Sequence, residues 1–190
     1  MNKGLIFIIL LFFSIGIIYS QEDIMRSQFD LNVGGAIPIN KDALSTGINL
    51  SLEGKVNDER FAIGLRAAMT MSKNDVVGGF SAHNQNSSIK NTFSLLFVTD
   101  FYFLKSKKVA PFIGGGYGAY YLPSILAYSY NNFTGEKELG ESAKQLNWGG
   151  MLRTGIEYNR TFRFTCEYNF AGKNGNRSYD YISANIGIMF

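Results

Sequence analysis

The residues best suited to catalysis surround the only histidine of the chain, His83. Hydroxyl and carboxyl side chains lie close to it in sequence, at Asp75, Ser81, Ser87 and Ser88. A serine nucleophile needs its hydroxyl within hydrogen-bond reach of the imidazole and an oxyanion site nearby. The surrounding segment, 73–88, is rich in glycine and asparagine, which predicts a solvated loop. We therefore interpret His83 as an exposed loop histidine, assign no catalytic residue and expect no enzymatic activity.

Two further motifs predict no reactive site. The glycine-rich run 114–118 is followed by neither Lys-Ser/Thr nor a helical pattern, so it is not a phosphate-binding loop. Cys166 is the only cysteine and lies on the apolar side of a predicted strand, where it acts as a small hydrophobic residue. One cysteine and one histidine exclude a thiolate cluster or a site with two imidazoles, and we expect no metal and no cofactor. The 18 basic and 15 acidic residues are too nearly balanced to indicate a nucleic-acid partner.

Charged residues recur at alternate positions in segments where polar and apolar residues alternate. Since successive side chains of a strand point to opposite faces, these charges share the face opposite the apolar one. They comprise five acids and five bases: Asp30, Glu53, Lys55, Arg66, Lys90, Asp100, Arg153, Glu157, Arg163 and Glu167. A narrow interior requires such near-neutrality, because an unpaired buried charge costs several kcal/mol.

We therefore predict an ion-paired network that fills the interior of a closed sheet. Its members are Asp30, Glu53, Arg66, Asp100, Arg153, Glu157, Arg163 and Glu167. Glycines on the same face, such as Gly114 and Gly155, would make room for long arginine side chains. The interior of an eight-stranded barrel is only wide enough for side chains to fill. The predicted interior is packed and closed.

The elements that carry these residues are eight segments with a period of two and no segment with a clear helical period. They span about 27–37, 46–56, 61–72, 89–103, 109–121, 146–158, 162–170 and 179–190, the fifth being ambiguous. Short connections (57–60, 104–108, 159–161) alternate with long ones (38–45, 73–88, 122–145, 171–178). This pattern predicts an all-β fold, an eight-stranded antiparallel up-and-down transmembrane β-barrel. A β-sandwich does not require such alternation, and a soluble barrel does not require a balanced polar face.

The last predicted strand presents Ile182, Ala184, Ile186, Ile188 and Phe190 on one face. A closing strand that contacts lipid needs such an apolar face, and its terminal aromatic lies at the membrane interface. Other aromatic residues fall near both ends of the predicted strands. Two aromatic girdles are therefore expected.

The amino-terminal segment has the properties of a secretory signal. Lys3 precedes an apolar run from Leu5 to Ile18, and the polar Gln21 follows Ser20. We predict a cleaved signal peptide over 1–20 and one barrel domain over 21–190. An uncleaved membrane anchor is the alternative, since the apolar run is near the lower length limit for spanning.

Three segments of the chain resemble small outer-membrane β-barrels of the OmpA/OmpX-like, opacity-porin type, barrel domain only. They are the hydrophobic strand 92–103 that ends Asp-Phe-Tyr-Phe, the run Ala-Pro-Phe-Ile-Gly-Gly-Gly-Tyr-Gly at 110–118, and the closing Asn-Ile-Gly-Ile-Met-Phe. The resemblance covers about 27–190. The resemblance implies that Ile186, Ile188 and Phe190 form the membrane-insertion signal that the barrel-assembly machinery recognises. It also implies that periplasmic chaperones are partners of the chain.

These observations predict a multi-pass outer-membrane protein with both mature termini in the periplasm, a monomer in contact with membrane lipid and lipopolysaccharide. Its role would be structural or surface-binding, in adhesion or the cell envelope, and an extracellular ligand would contact the long loops 73–88 and 122–145. The proposed binding loop contains Tyr120, Tyr121, Tyr128, Tyr130 and Phe133. A small-solute channel is the first alternative and a lipid-modifying outer-membrane enzyme the second.

Overall fold

The structure, a computed structural model, describes residues 26–40, 46–58, 60–74, 88–104, 108–123, 126–130, 137–141, 144–174 and 177–190. These ranges contain twelve β-strands: β1 (Arg26–Pro38), β2 (Gly47–Asn57), β3 (Phe61–Asn74), β4 (Ser88–Tyr102), β5 (Val109–Leu122), β6 (Leu126–Tyr130), β7 (Lys137–Glu141), β8 (Gln145–Tyr158), β9 (Phe162–Phe170), β10 (Lys173–Asn174), β11 (Arg177–Ser178) and β12 (Tyr181–Met189). Within the same ranges, no helix is long and apolar enough to cross a membrane.

Eight of the strands close into one barrel, in the order β1-β12-β9-β8-β5-β4-β3-β2. Every neighbouring pair is antiparallel. The first and last strands of the barrel, β1 and β12, pair and close it, and the Phe29 and Phe190 N–H groups each donate to the other residue's carbonyl oxygen, at 3.1 and 2.8 Å. The predicted eight-stranded antiparallel barrel is confirmed.

The alternation of residue types along each strand separates two surfaces. On β12, Tyr181, Ser183 and Asn185 are buried inside the barrel, while Ile182 and Ile186 lie exposed on its outside. β5, whose sequence pattern is ambiguous, alternates in the same way from Val109 to Leu122, with glycines on both faces. Because each strand reverses direction at its connection, the three short connections share one end of the barrel and the long connections share the other.

Two of the long connections contain further strands. β6 and β7 pair only with each other in the described ranges, as do β10 and β11. The β6–β7 pair keeps the register of the β5–β8 pair: Leu122 lies opposite Gln145, and Leu126 lies opposite Glu141. β6 and β7 are thus an outward continuation of the β5–β8 hairpin beyond the barrel, and we call this pair the arm. The sequence of this long connection left open that strands protrude from it beyond the membrane, and β6 and β7 are strands within it.

Candidate functional site

All eight residues of the predicted interior network lie on inward faces of the barrel strands and are at most 8% exposed. They form two groups at different heights. Six of them join Lys55 in a layer near the end with the short connections, which we call the ionic layer: Asp30, Glu53, Asp100, Arg153, Glu157 and Arg163. Arg66 and Glu167 form a separate pair.

Arg153 makes the most complete set of contacts in the ionic layer. Its Nη1 and Nη2 donate to the two carboxylate oxygens of Glu53, both at 2.6 Å. Its Nε and Nη2 donate to Asp100 Oδ1 and Oδ2 at 2.7 and 2.9 Å. β8 and β2 are diametrically opposite in the strand order, so the Arg153 side chain spans the interior. Both acids receive a bidentate contact, the geometry in which a guanidinium binds carboxylates most strongly.

Arg163 connects the remaining acids of the layer. Its Nη2 donates to Asp100 Oδ2 at 2.7 Å, and its Nη1 donates to Glu157 Oε1 at 2.7 Å and to Asp30 Oδ2 at 3.4 Å. The guanidinium also lies 4.0 Å from the ring centroid of Phe112, a cation–π contact. The Tyr102 hydroxyl donates to Glu157 Oε1 at 2.7 Å, so aromatic side chains complete the layer.

Lys55 lies among four carboxylates. Its ammonium is 2.8 Å from Asp30 Oδ2, 3.5 Å from both Glu53 Oε1 and Asp100 Oδ2, and 3.7 Å from Glu157 Oε1. Three cations and four acids therefore alternate in the ionic layer. The predicted network of eight residues does not include Lys55. Its position on the polar face of β2, beside Glu53, could have indicated that it belongs to the network.

Arg66 and Glu167 join opposite walls at a second height. The Arg66 Nη2 donates to Glu167 Oε2 at 2.7 Å, between β3 and β9, which are again diametrically opposite. The Ser183 hydroxyl donates to the same carboxylate oxygen at 3.0 Å. The interior is therefore crossed by arginine side chains at two levels.

The half of the interior nearer the long connections contains a cluster of tyrosines and apolar residues among its buried polar side chains. Tyr120, Tyr179 and Tyr181 are at most 2% exposed and pack with Leu122 and Ala171 in one cluster. The Tyr120 hydroxyl hydrogen-bonds with the Gly150 carbonyl oxygen at 3.0 Å and with Asn169 Oδ1 at 3.1 Å.

The assignment of Tyr120 to a surface-binding loop was wrong. β5 continues regularly to Leu122, so its even-numbered residues point inward and Tyr120 is fully buried. Tyr121 points outward and is 41% exposed. Tyr128 and Tyr130 belong to β6 of the arm. Their side chains and the whole of Phe133 lie outside the described part of the structure.

Gly114 shows why glycine is needed next to the ionic layer. It pairs with Asp100 on one side and with Arg153 on the other. A Cβ at this position would lie 2.1 Å from Asp100 Oδ1 and 2.5 Å from the Thr99 carbonyl oxygen. Both contacts are far too short, so a larger residue would displace the carboxylate that Arg153 and Arg163 bind.

The outer surface of the barrel is apolar, with aromatic contacts near both ends. Phe61, Phe101 and Phe103 contact one another near the short connections, with centroid distances of 5.2 and 5.5 Å. Tyr117 stacks on Trp148 at 6.1 Å nearer the long connections. The residues predicted to form the insertion signal lie on this outer surface: Ile186, Ile188 and Phe190. An exposed apolar surface of this extent is typical of contact with lipid or protein.

Solved structures with a similar fold were found for this chain, whereas family models and curated proteins gave no match. Among solved structures, Neisserial surface protein A superposes with a TM-score of 0.56 and 15% identity, over 87% of this chain and 97% of that one. The outer membrane protein Ail of Yersinia pestis in a phospholipid nanodisc gives a TM-score of 0.47 and 14% identity, over 87% and 100% of the two chains. The N-terminal β-barrel domain of Pseudomonas aeruginosa OprF gives 0.45 and 10%, over 86% and 97%.

The overlap with Neisserial surface protein A involves nearly the whole of both chains. At 15% identity it establishes the fold and leaves the activity to be argued from this chain's own residues. It agrees with the strand order, which is that of a closed eight-stranded barrel. The protein therefore has the fold of the small OmpA/OmpX-like outer-membrane β-barrels, as its sequence predicts.

Proposed function

We propose that the protein is an integral outer-membrane barrel with a closed interior and a structural or surface-binding role, carried by its long connections. The observation that carries this proposal is the combination of an apolar outer surface with arginine side chains that cross the interior. Arg153 reaches Glu53 on the opposite wall, and Arg66 reaches Glu167. The apolar outer surface supports a location in a membrane. The side chains that cross the interior support a closed barrel rather than an open pore.

The strand count supports one orientation in the membrane. With eight strands, both ends of the barrel sequence lie at the end with the short connections. Short turns face the periplasm in bacterial outer-membrane barrels, and longer loops face outward. We therefore place both mature termini in the periplasm, with the 1–20 segment removed as a signal peptide. Ile186, Ile188 and Phe190 would be read there by the assembly machinery.

Neither alternative function gains support from the described residues. A small-solute channel needs a continuous path, whereas the ionic layer and the cluster around Tyr120 occupy the interior at successive heights. A lipid-modifying enzyme needs convergent catalytic groups at the outer rim. The only histidine, His83, lies outside the described residues, so the expectation of no catalysis stays a prediction.

The arm is the best candidate for a surface-binding element. It extends the β5–β8 hairpin beyond Leu122 and leaves one edge of β6 and one edge of β7 without a partner strand in the described ranges. An open strand edge can bind an extended segment of another protein by main-chain hydrogen bonds. Tyr121, Tyr128, Tyr130 and Phe133 remain the proposed contact residues, without Tyr120.

Shortening this connection tests the surface-binding role. Leu122 and Gln145 are paired, so replacing residues 123–144 by Asn-Gly should close a tight hairpin on the same register. We expect the shortened barrel to fold and to lose any binding that the full-length protein has to arrayed extracellular proteins and glycans, measured in lipid nanodiscs. Equal binding by both proteins would contradict a role for the arm.

A further inference from the structure

The turn between β8 and β9 has a backbone conformation that suits only one of its two central residues. The Thr161 N–H donates to the Tyr158 carbonyl oxygen at 3.1 Å, which closes a four-residue turn. Its central residues, Asn159 and Arg160, have φ angles of 51° and 54°. Two central residues with positive φ are the mark of a type I′ turn, for which Asn-Gly is the preferred sequence.

Arg160 thus occupies a position where glycine is favoured. Asparagine tolerates the left-handed region, whereas a residue with a long side chain is destabilised there by its Cβ. Asn159 and Arg160 are the only residues other than glycine with positive φ in the described ranges. A side chain that its backbone conformation disfavours is a reason to look for a function of that side chain.

A second cation lies beside Arg160. The Asn159 N–H donates to the Lys108 carbonyl oxygen at 2.9 Å, so the β8–β9 turn contacts the end of the β4–β5 connection. Lys108 and Arg160 are both exposed, and neither forms an ion pair within the described part of the chain. The two connections, 104–108 and 159–161, contain no acidic residue. Among the described residues, the two cations therefore have no charge partner, unlike Arg153 and Arg163 inside the barrel.

The position of this surface indicates what it contacts. Val109, Tyr158 and Phe162 follow or precede the two connections directly, and all three are exposed on the apolar outer surface. Aromatic residues of a membrane barrel lie at the level of the lipid headgroups. The Lys108 and Arg160 side chains begin where the apolar surface ends, so in a membrane they would lie near the level of the lipid phosphates.

We propose that Lys108 and Arg160 form a docking surface for anionic phospholipid in the leaflet at the short-connection end. The inference rests on the proposed membrane location. The phosphate of a phosphatidylglycerol headgroup accepts hydrogen bonds from both cations and supplies the negative charge that the two connections lack. A zwitterionic headgroup carries its own positive charge, so its electrostatic attraction to Lys108 and Arg160 is weaker. The Arg160 side chain gives the turn a lipid contact that glycine could not supply.

The test uses the full mature chain in vesicles of phosphatidylcholine alone and of phosphatidylcholine mixed with phosphatidylglycerol. The relative association of spin-labelled phosphatidylglycerol and phosphatidylcholine with the protein measures lipid preference, and the urea midpoint of unfolding measures stability. We expect Arg160→Gly and Lys108→Gln each to weaken the phosphatidylglycerol preference by about fivefold. Arg160→Lys keeps the charge and should keep the preference.

Stability separates the lipid contact from a structural role. Arg160→Gly relieves the turn and should raise the unfolding midpoint, whereas Lys108→Gln should leave it unchanged. A higher midpoint for Arg160→Gly with an unchanged lipid preference would overturn the proposed surface. Insertion of the wild-type protein without any preference for phosphatidylglycerol would also overturn it, and the membrane location would stand. Failure of the wild-type protein to insert into either vesicle would overturn the location and the surface together.

Discussion

Arg153→Ala should lower the free energy of unfolding by about 3–5 kcal/mol, because it removes one partner from a buried ion-paired network. Arg153 donates four hydrogen bonds of 2.6–2.9 Å to Glu53 and Asp100, and all three side chains are at most 1% exposed. Without it, Lys55 and Arg163 alone would face four carboxylates. Urea unfolding of the barrel refolded in lipid vesicles measures the loss.

Two further variants show whether the loss comes from stranded charge. The double variant Glu53→Gln with Arg153→Met removes an acid together with the base, so it should recover part of the stability that Arg153→Ala loses. Lys108→Ala changes an exposed cation and should shift stability by no more than about 0.5 kcal/mol. If the midpoint of Arg153→Ala matched that of Lys108→Ala, the ionic layer would not stabilise the barrel.

Ala184→Arg should destabilise the inserted barrel by about 2–4 kcal/mol, because it places a charge at the middle of the surface that we propose contacts lipid. Ala184 lies on the outside of β12, in a row of small residues with Gly35, Cys166 and Thr154 on the adjoining strands. A soluble barrel would accept an exposed arginine here with almost no effect. The difference in unfolding free energy in lipid vesicles measures the penalty.

Asn91→Arg is the matched control for depth. Asn91 also faces outward, on β4 near the end with the long connections. The cost of a lipid-facing arginine falls to about 0–1 kcal/mol near the membrane interface. Equal stability losses for Ala184→Arg and Asn91→Arg would contradict a membrane centred on Ala184.

The fold could be predicted from the sequence because polar and apolar residues alternate within each strand, so the inward and outward faces of a strand can be identified without knowledge of the other strands. The alternation in 162–170 and 179–190 already separates Arg163 and Asn185 from Phe164 and Ile186. The alternation of short and long connections then indicates an antiparallel up-and-down topology, although no contact between strands is known from the sequence. The ends of strands were predicted less well, since β3 and β4 continue beyond the sequence pattern at the long-connection end.

The pairing of charges inside the barrel could not be predicted in the same way. Which arginine meets which carboxylate depends on the stagger between strands on opposite walls, and no pattern within one strand encodes that stagger. Arg153 and Glu53 are 100 residues apart in sequence. Tyr120 was misassigned for a related reason, because its exposure depends on where β5 ends, and glycines on both faces obscure the pattern there.

The most direct test of the central claim is the gel mobility of the protein in outer-membrane fractions, compared before and after heating in detergent. A closed barrel resists unfolding by detergent until it is heated, so its mobility differs between the two samples. We expect the chain in the outer-membrane fraction, with a mobility that changes on heating. A chain found in the soluble fraction, or one whose mobility is the same in both samples, would contradict an outer-membrane barrel.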